Sequence, residues 1–154
     1  MSRELSNLSP YMKMKALAFL DECRENELDI VIICTDRSYE EQQILFDKKL
    51  TNARPGQSAH NARDKNGRPA AEGFDIGVIR HGRYVGNGDD PHYKMAGVIG
   101  ERLGLRWAGR WTGKLREVAH FQSALFKTPA PIPKEKWYAK AVTAVKKAIS
   151  SVMK

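Results

Sequence analysis

Residues 58–75, SAHNARDKNGRPAAEGFD, hold a histidine near one end and an aspartate at the other, His60 and Asp75, joined by a segment without apolar periodicity. Asn66-Gly67 and Pro69 are turn formers, and Arg63, Lys65 and Arg68 are solvated side chains, so Ala62 to Ala71 is expected to be a surface loop. Asp75 then opens Phe74-Asp-Ile-Gly-Val-Ile79, which alternates well enough for a strand. A histidine and a carboxylate at the two ends of such a loop call for a third partner. Glu117-Val-Ala-His120, in the run REVAHFQ, offers a second imidazole with a carboxylate three residues before it. Two histidines and one aspartate make an open zinc site, in which the fourth tetrahedral position is left to water. His60, Asp75 and His120 are the expected ligands, and Glu117 is then free to take a proton from that water. His81 and His92 fall in a turn and at a helix start, where surface histidines are ordinary.

Working outward, Ser9-Pro10 combines a cap with proline at the first helical position. A helix is expected from there to about Asn26, with Met14, Leu17, Ala18 and Leu20 on its apolar face. Leu28 to Thr35, LDIVIICT, is an unbroken β-branched run and is expected to be a buried strand. Ser38-Tyr-Glu-Glu41 has capping-box spacing, which predicts a helix from Tyr39 to about Leu50 with Ile44 and Leu45 inward, and puts Arg37 at the corner before it. His81-Gly82-Arg83 before Tyr84-Val85 predicts a hairpin. Asp90-Pro91 opens a third helix, with Met95, Val98, Ile99 and Leu103 on one face and Gly104 as its stop. Leu105–Trp107 and Glu117–Phe121 complete the expected strands. The sum is an α+β domain: a small antiparallel sheet, helices packed mainly on one side, and the site across the sheet.

The ordered segments Asp36-Arg-Ser-Tyr-Glu-Glu-Gln42, Ser58-Ala-His60, Gly73-Phe-Asp75 and Glu117-Val-Ala-His120-Phe-Gln122 resemble the signatures of the zinc D-alanyl-D-alanine carboxypeptidase family, which includes bacteriophage L-alanyl-D-glutamate endopeptidases. The resemblance runs from about Arg37 to Gln122. It departs from the family between His60 and Asp75, where the loop is longer than the family's. It implies the hedgehog/D-Ala-D-Ala-peptidase-like fold, a Zn2+ cofactor and bacterial peptidoglycan as partner. It further implies hydrolysis of stem-peptide bonds, either L-alanyl-D-glutamate or, in the carboxypeptidase and dipeptidase branch, terminal D-alanine. In such a peptidase Glu117 is the base, and Arg37 stabilises the carbonyl oxygen or grips a substrate carboxylate in a two-pronged contact. Ser58 contacts substrate or fixes the loop, and Gln42 binds substrate or merely orients. Trp107 and Trp111 either line the groove or pack in the core.

The 154 residues suit one domain, with 26 basic against 18 acidic side chains and a net charge of +8. That balance favours polyanionic surroundings: nucleic acid, anionic lipid or an acidic cell wall. A metal-dependent nuclease or nucleic-acid-binding module would use the charge and the Arg63, Lys65 and Arg68 cluster, but it gives the Glu117–His120 motif no purpose, so no nucleic-acid partner is expected. A wall-binding module without catalysis leaves Glu117 unexplained. Cys23 and Cys34 are expected to be buried thiols. Residues 1–127 form the expected catalytic domain, and Thr128-Pro-Ala-Pro-Ile-Pro133 a proline-rich linker. Residues 134–154 form a basic amphipathic helix, with Tyr138, Val142, Val145, Ile149 and Val152 at helical spacing. Two outcomes are open for it: closing packing on the domain, or contact with an anionic membrane. No signal-peptide or membrane-spanning run is visible, so the expected setting is a monomer held in the host cytoplasm until lysis and then acting in the periplasm on the wall.

Overall fold

The structure, a computed structural model, describes residues 1–153, Ala141 by its backbone alone; Lys154, the end of the expected tail, lies outside the described residues. Five strands form one antiparallel sheet: β1 (Asp29–Cys34), β2 (Gly73–Arg80), β3 (Arg83–Val85), β4 (Leu105–Trp107) and β5 (His120–Ser123). Their order is β1-β2-β5-β4, with β3 paired to the far half of β2. The β2–β3 turn holds His81 and Gly82 at φ 51° and 71°, the positive values that a tight two-residue hairpin needs. The sheet and its helices give the expected α+β architecture.

Period-two alternation divides the chemistry between the two faces of the sheet. Phe74, Ile76 and Val78 of β2 and Phe121 of β5 are buried in the core, under α1 (Pro10–Glu25) and α3 (Pro91–Arg102). Phe19 of α1 lies between Phe74 and Phe121, with ring centroids 5.5 and 4.9 Å away. The alternate residues, Asp75 on β2 and His120 and Gln122 on β5, face the other way. Gly97 lets α3 approach β4 closely, since a Cβ there would stand 2.3 Å from the Trp107 ring.

Both early helices begin where the caps predict. Ser9 Oγ accepts the Met12 N–H, and Ser38 and Glu41 form a reciprocal capping box at the start of α2 (Tyr39–Asp47). The buried faces differ from expectation. On α1 the inward stripe is Met12, Ala16, Phe19 and Cys23, while Met14 and Leu17 are exposed, because Phe19 fixes the rotation of the helix. On α2 Gln42 is fully buried and Ile44 is exposed; Leu45 is half-buried, and the helix ends at Asp47 rather than Leu50. Met95 of α3 is also exposed, its place taken by Tyr93, Ala96 and Gly100. β1 is an edge strand and only half-buried, with Val31 exposed. Glu117–Ala119 is a turn that leads into β5 rather than part of the strand.

Candidate active site

Cys34, Asp75 and His120 lie in one row across β1, β2 and β5, since Asp75 is the register partner of both others. A β-bulge between Ile32 and Cys34 sets the β1 end of that row. His60 reaches the row from the loop, on a 3-10 turn (Ala59–Asn61) whose first N–H groups are held by Ser58: Ser58 Oγ accepts the His60 N–H at 3.2 Å. The long segment after His60 folds back on itself, with an isolated bridge between Arg63 and Pro69 and a turn at Asn66-Gly67. The extra residues thus form a small surface excursion, and Asp75 keeps its place beside His60.

The three expected ligands converge. His60 Nε2 lies 3.1 Å from Asp75 Oδ1, His120 Nδ1 lies 2.8 Å from the same oxygen, and the two nitrogens are 3.2 Å apart. Hydrogen bonding on the far side of each ring fixes which nitrogen holds the proton. His60 Nδ1 donates to the Thr35 carbonyl at 2.9 Å, and His120 Nε2 donates to Gln122 Oε1 at 3.0 Å. Each neutral imidazole therefore turns a lone pair toward the Asp75 carboxylate. Three acceptors facing one point repel unless a cation joins them. Their separations are close to the edge of about 3.3 Å spanned by ligands 2.0–2.1 Å from a tetrahedral zinc. The donor set suits a divalent ion, with both histidines oriented by outer partners.

Cys34, His60 and Asp75 also form a buried group that could hold a metal ion. Cys34 Sγ, however, approaches His60 at Nδ1, 3.6 Å away, on the nitrogen already engaged by Thr35. His120 shares the Nε2 side with Asp75 and is the better third donor. Burial of His60 disfavours its charged form, but the Asp75 carboxylate outweighs this and raises its pKa to about 10. Burial acts against the Asp75 carboxylate too, and the positive charge of His60 in its protonated form, with the hydrogen bond that the added proton allows, overcomes it, holding its pKa far below the usual range. With no cation bound, the site thus retains a proton.

The cluster sits in a groove of about 770 Å³ whose lining includes Arg37, Leu45, Ser58, Trp111 and Glu117. Glu117 is exposed on the turn three residues before His120, and that turn is closed by a hydrogen bond from the His120 N–H to the Glu117 carbonyl at 3.3 Å. Arg37 is mostly buried, with Nη2 3.8 Å from Asp75 Oδ2 and Nη1 donating to Gln42 Oε1 at 3.0 Å. Gln42 is itself pinned through Nε2 to the Ala53 carbonyl, so it orients Arg37 from beneath and lies outside the groove lining. Trp107 stands apart from the other expected residues. It packs in the core, its indole N–H donates to the Val118 carbonyl at 2.8 Å, and Trp111 is the tryptophan that lines the groove, 5.9 Å from the His120 ring. Sequence reasoning gave no role to Gln122, although its place two residues after His120 on a strand puts both on one face. The Thr35 carbonyl carries no side-chain signal and could not have been found that way.

No family model matches the chain, and no curated protein matches it. Among solved structures, the L-Ala D-Glu endopeptidase ChiX of Serratia marcescens is similar, with a TM-score of 0.62 at 17% identity over 78% of this chain and 83% of that one. That likeness shows a common fold.

Proposed function

We propose that this chain is a zinc-dependent peptidoglycan peptidase that hydrolyses stem-peptide bonds, the L-alanyl-D-glutamate bond first among them, through a metal-activated water. The observation that carries the proposal is the meeting of His60 Nε2, His120 Nδ1 and Asp75 Oδ1 within 2.8–3.2 Å of one another in an open groove, where a divalent ion would replace the proton held without it. The fold shared with a protein named as an L-Ala D-Glu endopeptidase supports it.

A divalent ion held by these three residues supplies Lewis acidity, polarising a carbonyl and bringing the pKa of a water to about 7. Glu117, exposed on the groove wall, is the group that takes the water proton as oxygen adds to the carbonyl carbon, and it returns that proton to the amine nitrogen as the C–N bond breaks. Arg37, fixed by Gln42, faces negative charge on the carbonyl oxygen or a neighbouring substrate carboxylate. Arg106 and Lys114 add positive charge to the groove, which suits a stem peptide bearing several carboxylates. The same proposal has the protein act on the wall as an endolysin, reaching it from the host cytoplasm at lysis.

Zinc-loaded protein incubated with purified peptidoglycan should release new D-glutamate amino termini, identified by mass spectrometry, and chelator should stop their appearance. Free D-alanine as the sole product would move the assignment to the carboxypeptidase branch; nicked DNA beside an untouched wall would remove it. Glu117→Gln should keep zinc and lose turnover by about 10²–10⁴-fold, whereas His120→Ala should lose both. Full activity in Glu117→Gln would refute the assigned base.

A further inference from the structure

The last helix, α4 (Lys134–Val152), is joined to the rest of the molecule at its root. The Ile132 N–H donates to the Pro55 carbonyl at 2.9 Å, and Ile132 lies so close over Gly56 that a Cβ there would stand 2.6 Å from its side chain. Trp137 is buried and Val142 half-buried. Beyond them the apolar face has no cover among the described residues. Val145, Ile149 and Val152 are 59, 54 and 86% exposed, and Tyr138, about two turns before Val145, is 52% exposed. These positions recur at the helical period and form a single stripe. Lys136, Lys140 and Lys147 take the opposite side and Lys146 a flank; with Lys134 the helix holds five lysines against one glutamate, Glu135.

An apolar stripe backed by lysines, on a helix whose one acidic residue is Glu135, identifies its partner by charge. A second copy of α4 would cover the stripe but bring together two helices that each hold five lysines against one glutamate, whereas an anionic lipid surface satisfies the stripe and the charge at once. Among the described residues no helix is long and apolar enough to cross a membrane, which leaves a helix lying in the plane of the interface. We infer that α4 docks on anionic phospholipid bilayers, with Val145, Ile149 and Val152 in the acyl boundary and the lysines at the headgroups. Gln57, in the lining of the groove, donates to the Pro129 carbonyl at 3.5 Å in the segment that leads into α4, so docking sets how the groove faces the membrane. The inference stands apart from the peptidase assignment.

Sedimentation of the full chain with vesicles of equal parts phosphatidylglycerol and phosphatidylcholine, and with phosphatidylcholine alone, tests it. The anionic vesicles should bind at least about tenfold more tightly. Val145→Ser with Ile149→Ser, both at exposed positions, should weaken that binding about tenfold or more with an unchanged melting temperature. Lys146→Gln and Lys147→Gln should each weaken it about fivefold. Equal binding to the two vesicle types would overturn the inference. So would wild-type affinity in the serine variant, which would mean that the overall charge of +8 acts alone. A concentration-dependent dimer abolished by the serine substitutions, without lipid binding, would hand the stripe to a second copy.

Discussion

At the scale of single residues, the site depends as much on what stands behind the two imidazoles as on the imidazoles themselves. Gln122 holds the proton of His120 on Nε2, so Gln122→Leu should lower zinc affinity by about 10–100-fold in a competitive chelator titration while leaving the fold intact. An unchanged affinity would show that the ring is oriented by something else. Gly73 sits where a Cβ would meet the Phe121 carbonyl at 2.9 Å and His120 Cε1 at 3.1 Å. Gly73→Ala should therefore displace His120 or the strand, weaken zinc binding and cost about 1–3 kcal/mol in a urea melt. The meeting of His60, Asp75 and His120 was legible in the sequence because both histidines stand in short segments with an acidic partner; the part given to Glu117 rests on the proposal. Trp107 was not, because two tryptophans four residues apart carry the same sequence signal, and only the close packing of Gly97 and Gly109 against Trp107 separates core from groove.

At the scale of elements, capping chemistry located the starts of α1, α2 and α3, and alternation located β2, because both are local. The rotation of each helix is not local. Met14 and Leu17 are as apolar as the residues that are buried on α1, and the choice between faces is made by Phe19 filling the space between Phe74 and Phe121. Phe19→Ala should accordingly cost about 3–5 kcal/mol in chemical denaturation. Met14→Lys, on the exposed face, should stay within about 0.5 kcal/mol of wild type. A large effect at Met14 would mean that α1 is rotated from the orientation described. The edge position of β1 was likewise hidden, since an apolar run has the same composition whether one side is open or both are covered.

At the scale of the whole molecule, metal loading and pH act on one pair of groups. In the metal-free protein His60 titrates near 10, above its ordinary 6.5, so its contribution to stability is complete below about pH 6.5 and is lost as pH rises toward 10. Asp75 is shifted downward, so its contribution is present above about pH 3.8 and is lost as acid protonates it. Metal-free protein should thus melt highest between about pH 4 and 6.5, with the melting temperature falling on the alkaline side. Zinc competes with the proton at His60, so the gain in melting temperature on adding zinc should grow from pH 5 to pH 8, read by scanning fluorimetry; a gain independent of pH would contradict the pairing. The coordination itself is read most directly by X-ray absorption at the zinc edge of the loaded protein. Two imidazole nitrogens and carboxylate and water oxygens at about 2.0–2.2 Å, unchanged in Cys34→Ser, are the expected result. Sulfur scattering at about 2.3 Å, lost in Cys34→Ser, would place the ion on the other side of His60 and contradict the site built from His60, Asp75 and His120.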